Sequence, residues 1–236
     1  MEKYSVSKIK TYDMCKLKYK LHYIDGKWPE ERLTDDVMFG RLVHKAFEIY
    51  NPEQDNKEEI VKLVRDYPIL SSEYKRLLGP TYKSLFEFYS KYGDKPSEEE
   101  LDLSFKYDDF IIRGYVDRLI EGDNFFICVD YKTSRYATMK YHVFQLKFYN
   151  LLVSKNYEIN PSKIRMMLYF PRPNQEEKTM FSKNEINLFE KELRQKVNDI
   201  ETNTEWPATP GKHCRWCPFF NTPDCPATYE DREIIS

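Results

Sequence analysis

GYVDRLIEGDNFFICVDYKT, residues 114–133, decides the fold. Two runs with a period of two flank the turn formers Glu121, Gly122, Asp123 and Asn124, which predicts an antiparallel hairpin. In the second limb Phe125, Ile127, Val129 and Tyr131 point one way, and Phe126, Cys128, Asp130 and Lys132 the other. In the first limb Asp117 lies opposite to Val116 and Arg118, so one register sets its carboxylate beside that of Asp130. Two adjacent carboxylates repel each other unless a divalent cation lies between them, and Mg2+ or Mn2+ favours such oxygen ligands. A lysine at 132 could then orient a water or stabilise a phosphorane-like transition state. Taken alone, Asp-x-Lys also fits an ordinary strand with solvated charges.

Upstream, Leu101, Leu103, Phe105 and Tyr107 alternate and Asp108-Asp109 can turn, so the meander begins near residue 99. Before it, Phe39, Val43, Ala46, Phe47 and Tyr50 mark one buried face of a helix over 37–50. Gly40, His44 and Glu48 make a second stripe beside that face. Further helices are predicted at 57–66 and 80–92, with Pro80 in a first turn and Gly93 as a stop. Ser7 is the expected cap of a first helix that ends near the basic-aromatic run KLKYKLHY, 16–23.

Downstream, a helix with Val143, Leu146 and Val153 inward sets Gln145 and Tyr149 one turn apart. KIRMMLYF, 163–170, is expected as a buried strand reached through a helical crossover, hence parallel to its neighbour. Ser182 and Glu185 form a capping box for a long helix with Ile186, Phe189, Leu193, Val197 and Ile200 inward. The whole reads as α/β, with helices around a small mixed sheet.

The chain has 236 residues, 37 Lys and Arg against 39 Asp and Glu, so any nucleic-acid surface would be a local basic patch and not a global field. No apolar run approaches the ~20 residues of a membrane span, and MEKYSVSKIK lacks the apolar core of a signal peptide. A cytoplasmic, non-membrane protein is therefore expected. There is no repeat, and few glycines, which favours one domain over 1–236: a cysteine-bearing N-terminal region (1–36), a core (37–204) and a cysteine-rich C-terminal loop (205–236). LGPTYKS lacks the second glycine of a phosphate-binding loop, so no ATP-driven motor is encoded in these residues.

FGRLVHKAFE, GYVDRLI, CVDYKT and QLKFYNLL together resemble the Gly-x-x-x-His, Gly-x-x-Asp-Arg, Asp-Tyr-Lys-Thr and Gln-x-x-x-Tyr motifs of RecB-like exonucleases, in that family's order. These exonucleases belong to the PD-(D/E)xK nuclease superfamily. The resemblance implies a restriction-endonuclease-like core. It also implies that His44, Asp117, Asp130 and the backbone carbonyl of Tyr131 ligate Mg2+ or Mn2+, with Lys132 as catalytic lysine. Gln145 and Tyr149 match the motif that holds substrate or the lysine in place. The third acidic position is Asp where many relatives have Glu, a permitted variant.

Cys15, with Cys214, Cys217 and Cys225, could supply four thiolates. One remote cysteine plus a terminal Cys-x2-Cys-x7-Cys is unusual for zinc fingers, whose ligands lie close in sequence. It resembles the iron-sulfur staple of AddB-type and CRISPR-associated members of the same family, which implies a 4Fe-4S cluster; structural Zn2+ using His213 is the alternative. Lys16 stands where relatives usually have proline, and Cys128 reads as packing.

The function expected from this resemblance is a metal-dependent deoxyribonuclease acting on single-stranded DNA or ends in recombination, repair or CRISPR adaptation, with any helicase a separate partner protein. KLKYKLHY and SRYATMKYH (134–142) are candidates for phosphate contact and base stacking. The alternative is a catalytically silent or zinc-stapled DNA-binding or assembly subunit.

Overall fold

The computed structural model describes residues 1–28, 34–50, 56–66 and 71–227. The last residues of the cysteine-rich segment, 228–236, lie outside them. Contacts divide the chain into two compact units, one formed by residues 1–32, 106–112 and 188–236, the other by 33–105 and 113–187.

The second unit carries the hairpin. Its strands are β2 (Ser97–Lys106), the main part of β3 (Phe110–Glu121), β4 (Phe126–Tyr131), β5 (Ile164–Phe170) and β6 (Gln175–Met180). β3, β4, β5 and β6 are neighbours in that order, and β2 also pairs with β3. β3 and β4 are antiparallel with Arg118 opposite Val129, so one step along the ladder sets Asp117 opposite Asp130. β5 runs parallel to β4, as a crossover through a helix requires.

Three helices cover one face of this sheet. Thr34 caps α3 (Asp35–Ile49), whose buried side chains are Phe39, Leu42, Val43, Ala46 and Phe47. They join side chains of α4 (Lys57–Asp66) and α5 (Ser72–Tyr92), and Ile120, Ile127, Val129, Tyr131, Met167 and Tyr169 of the sheet, in one core. The odd-numbered face of β4 is thus the apolar one. α5 starts well before the expected residue 80 and contains Pro80 in its interior. Tyr74, Leu77 and Leu78 pack against the core from that added stretch, and this burial outweighs the ~3 kcal/mol cost of an interior proline.

α6 (Val143–Asn156) follows β4. Gly114 on β3 permits its approach, since a Cβ there would lie 3.0 Å from both Leu152 Cδ1 and Tyr149 Cε1. The sequence pattern does not predict β6: QEEKTM is polar and at most half-buried, and among the described residues it pairs with β5 alone, as an edge. The capping box forms, with Ser182 N donating to Glu185 Oε2 at 2.8 Å and Glu185 N to Ser182 Oγ at 3.2 Å.

In the first unit a short strand, β1 (Glu2–Tyr4), pairs in parallel with Phe110–Ile112. The cap of α1 (Val6–Met14) is Ser5 and not Ser7, because β1 ends at Tyr4 and the Ser5 hydroxyl accepts from Lys8 N at 3.2 Å. α2 (Lys16–Tyr19) follows and widens into a π-helical turn at Lys20–Ile24. The later part of α7 (Lys183–Glu201) buries Leu193, Val197 and Ile200. Among the described residues no helix is long and apolar enough to cross a membrane.

Gly114→Ala should lower the urea midpoint by the equivalent of about 1 kcal/mol or more without changing the slope, because Tyr149 and Leu152 must shift to admit the methyl group. An unchanged midpoint would show that α6 has slack against β3.

Candidate active site

Asp130 is the centre of the arrangement in the second unit, and it is only 2% exposed. The Lys132 ammonium pairs with its Oδ2, and Gln145 Nε2 donates to its Oδ1 at 2.8 Å. The same Gln145 nitrogen lies 3.1 Å from the Tyr149 hydroxyl oxygen, one turn along α6. Burial pushes the Asp130 carboxyl up to about 6; Lys132 opposes that shift and the Asp117 charge adds to it.

Asp117 is held from two sides. Its Oδ2 accepts from the Tyr131 backbone N–H at 2.6 Å, and its Oδ1 lies 3.5 Å from His44 Nδ1. Burial disfavours a charged His44, but hydrogen bonding and charge from Asp117, with Asp130 behind it, prevail and raise the imidazole above its usual pKa. Tyr131 contributes its backbone here, while its ring is in the core, 4.3 Å from the Phe47 ring centroid.

The structure thus brings His44, Asp117, Asp130, Tyr131, Lys132, Gln145 and Tyr149 into one connected set. It adds Glu100, which sequence reasoning missed. Ligand atoms of His44, Glu100 and Asp117 lie within 4.8 Å of one another, and this is the one such group among the described residues. Asp130 stands outside that group. Glu100 adopts φ 49°, a left-handed backbone that few non-glycine residues take. Partial burial, then Asp117, raises its carboxyl. In sequence Glu100 is the last residue of Ser97-Glu98-Glu99-Glu100, which has the signature of a solvated charge run; only the turned backbone distinguishes it. Glu48 pairs with Lys45 and is not in the group.

The neighbouring Arg118 is buried. It pairs with Glu99 at 3.1 Å, donates to Ser97 Oγ at 2.6 Å and stacks its guanidinium 4.5 Å from the Tyr89 ring centroid. It therefore fixes the strand that carries Asp117 and the β2 segment that carries Glu100.

In the first unit Cys15, Cys214, Cys217 and Cys225 line one small cavity together with His213. Among the described residues no three of the sulfurs lie within 4.8 Å of one another. Cys15 Sγ accepts from Lys18 N and Cys214 Sγ from Gly211 N, at 3.5 and 3.3 Å. Cys128 is fully buried in β4, and burial raises its thiol far above the usual range.

A mixed sheet flanked by helices, with two acids opposite each other on adjoining strands and a lysine beside one of them, is the architecture of the restriction-endonuclease-like class. Residues 3–222 match the model of the PD-(D/E)XK nuclease superfamily, and the chain belongs to that superfamily, whose nucleases use divalent metals. A crystallised protein of Eubacterium rectale that carries an exonuclease assignment aligns with a TM-score of 0.61 and 13% identity, over 98% of this chain and 92% of its own. At that identity the likeness is one of fold. A second crystal structure, SSO0001, aligns with a TM-score of 0.40 and 20% identity, over 86% of this chain and 91% of its own, which is too slight to weigh. No curated protein matches.

Because the fold favours a proton on Asp130 up to a pH of about 6 and holds His44 above its usual pKa, a cation must compete with protons here. Mn2+ affinity, measured by calorimetry in two buffers of different ionisation enthalpy, should weaken as pH falls from 7 to 5, with proton release on binding near pH 6. Affinity that stays constant over that range would exclude Asp130 and His44 from the binding set.

Proposed function

We propose that the chain is a divalent-metal-dependent deoxyribonuclease, an exonuclease that hydrolyses phosphodiester bonds at the ends of single strands. The observation that carries this reading is Asp130 held between Lys132 and the Gln145–Tyr149 pair, directly across the ladder from Asp117. His44, Glu100 and Asp117, with Asp130 and the Tyr131 carbonyl beside them, are a hard donor set that suits Mg2+ or Mn2+. A cation bound there supplies Lewis acidity toward the phosphodiester.

The chain's own residues do the rest. Gln145 fixes the orientation of Asp130 through one oxygen, and Tyr149 restrains Gln145. Lys132 presents an ammonium at the edge of the site, where it can donate to a phosphate oxygen as negative charge develops. The Tyr131 N–H holds Asp117 in place, so neither acid has to reorganise during reaction.

The four cysteines are proposed to hold a 4Fe-4S cluster that joins the N-terminal helices to the C-terminal segment. What supports a shared group is that all four cysteines line one cavity, although they come from opposite ends of the sequence. DNA is the proposed partner, in an intracellular recombination, repair or CRISPR-adaptation setting, with strand separation left to a helicase on another chain.

On end-labelled linear single strands with Mg2+ or Mn2+, Lys132→Ala and Asp130→Asn should lower cleavage by about a hundredfold or more, while binding in EDTA persists. Full activity in either variant would refute the assignment. A single-stranded circle should resist digestion, and equal cutting of circle and linear strand would remove the end requirement. Protein purified without oxygen should contain iron and sulfide that Cys15→Ser or Cys217→Ser abolishes and Cys128→Ser retains. Zinc without iron would favour the single-ion alternative.

A further inference from the structure

Residues 133–142 leave β4 directly after Lys132 and enter α6 shortly before Gln145. Both ends of this segment are tied to one carboxylate, since Lys132 pairs with one Asp130 oxygen and Gln145 donates to the other. Tyr136 is four residues from Lys132, and Tyr141 four from Gln145. At ~3.6 Å per residue at most, each has its Cα within about 14 Å of an Asp130 partner.

Both rings face water. Tyr136 is 72% exposed and Tyr141 69%. Among the described residues of the second unit, Tyr115 is the one other exposed aromatic, at 52%, and it lies two residues before Asp117. The remaining rings of the unit are buried or half-buried. A cation accompanies each exposed ring: Arg135 Cζ is 5.5 Å from the Tyr136 centroid, Lys140 Nζ 4.9 Å from that of Tyr141, and Arg113 Cζ 5.2 Å from that of Tyr115. Asp102 binds Arg113 through both oxygens, whereas no carboxylate pairs with Arg135 or Lys140 among the described residues. The turn that presents Tyr136 is itself bonded, with Ser134 Oγ donating to the Tyr136 carbonyl at 3.1 Å.

The second basic-aromatic run, in the first unit, makes the contrast. There Tyr19 is 3% exposed, stacks at 4° on Trp206 and contacts Tyr12 and Tyr23, so its rings serve packing. A run with the same composition at 134–142 displays its rings.

We infer that Tyr136 and Tyr141, with Arg135 and Lys140, are a platform that seats single-stranded DNA for the site at Asp130. Aromatic faces stack on bases of any sequence, and the neighbouring cations meet phosphates. Two cations with no carboxylate partner among the described residues also offset the repulsion that Asp117, Asp130 and Glu100 exert on a polyanion. A duplex keeps its base faces covered except at its ends, so the platform selects single strands. The inference rests on the nuclease reading for what the strand is presented to, and binding tests it separately.

Fluorescence anisotropy in EDTA with a labelled oligothymidylate of about 20 nucleotides measures binding without cleavage. Tyr136→Ala and Tyr141→Ala should each weaken binding at least about fivefold, whereas Phe at either position should retain it, because stacking and not the hydroxyl is used. Arg135→Ala and Lys140→Ala should each reduce the salt slope by about one. Binding to a blunt duplex of equal length should be weaker and unaffected by the tyrosine changes. Alanine variants that bind the single strand as the parent does, or that lose single strand and duplex equally, would overturn the platform. If the parent fails to cleave while the alanine variants still lose binding, the nuclease reading falls and the platform stands. If Asp130→Asn is inactive while the tyrosine variants bind normally, the reverse holds.

Discussion

A carboxylate buried within a sheet is the constraint on which the second unit depends. Asp130 has almost no contact with water, and an isolated charge there would cost several kcal/mol. Lys132 and Gln145 reduce that cost by occupying both oxygens, which obliges the chain beyond β4 to return to the site through α6. The return is possible because Gly114 leaves room for Tyr149 and Leu152 against β3. The loop between Lys132 and Gln145 is therefore anchored at both ends, and its exposed rings are carried on a fixed base.

The opposite face of β4 supplies rigidity. Val129 and Tyr131 sit in the aromatic core with Phe47, Phe88 and Tyr169, so the backbone between them, which bears Asp130, has little freedom. Tyr131 links the two faces, since its ring packs below while its N–H holds Asp117 above. Arg118 performs a comparable task one residue beyond Asp117, binding β2 through Glu99 and Ser97 and α5 through the Tyr89 ring. Such a preorganised set is what electrostatic catalysis requires, because dipoles already in place need not rearrange as charge develops.

In the first unit, chain ends distant in sequence are joined by ordinary bonds as well as by the cysteine-lined cavity. Tyr12 donates to the Asp199 carbonyl at 3.2 Å, Leu17 N to the Pro207 carbonyl at 3.1 Å, and Lys27 pairs with Asp224. Tyr12 and Tyr19 also pack against Trp206. A cluster there would reinforce a closure that the side chains already begin, and its loss would weaken that closure without dissolving every contact.

The sequence by itself determined what depends on local period and on spacing within one element. It made the hairpin, its faces, the Ser182–Glu185 box and the pairing of Gln145 with Tyr149 legible because each follows from neighbours a few residues apart, and the parallel β5 because a helical crossover separates it from β4. It mistook the start of α5, since a proline reads locally as a boundary while the gain from burying Tyr74, Leu77 and Leu78 is tertiary. It missed β1 and β6 because short edge strands are specified by a partner and not by their own pattern. Only the tertiary structure turned Glu100 toward His44 and Asp117, out of three glutamates alike in sequence. Only the tertiary structure, too, separated two basic-aromatic runs, burying Tyr19 against Trp206 and leaving Tyr136 and Tyr141 in water. Composition sets what a side chain could do, but its neighbours in space decide whether its surface is spent on packing or left open to a ligand.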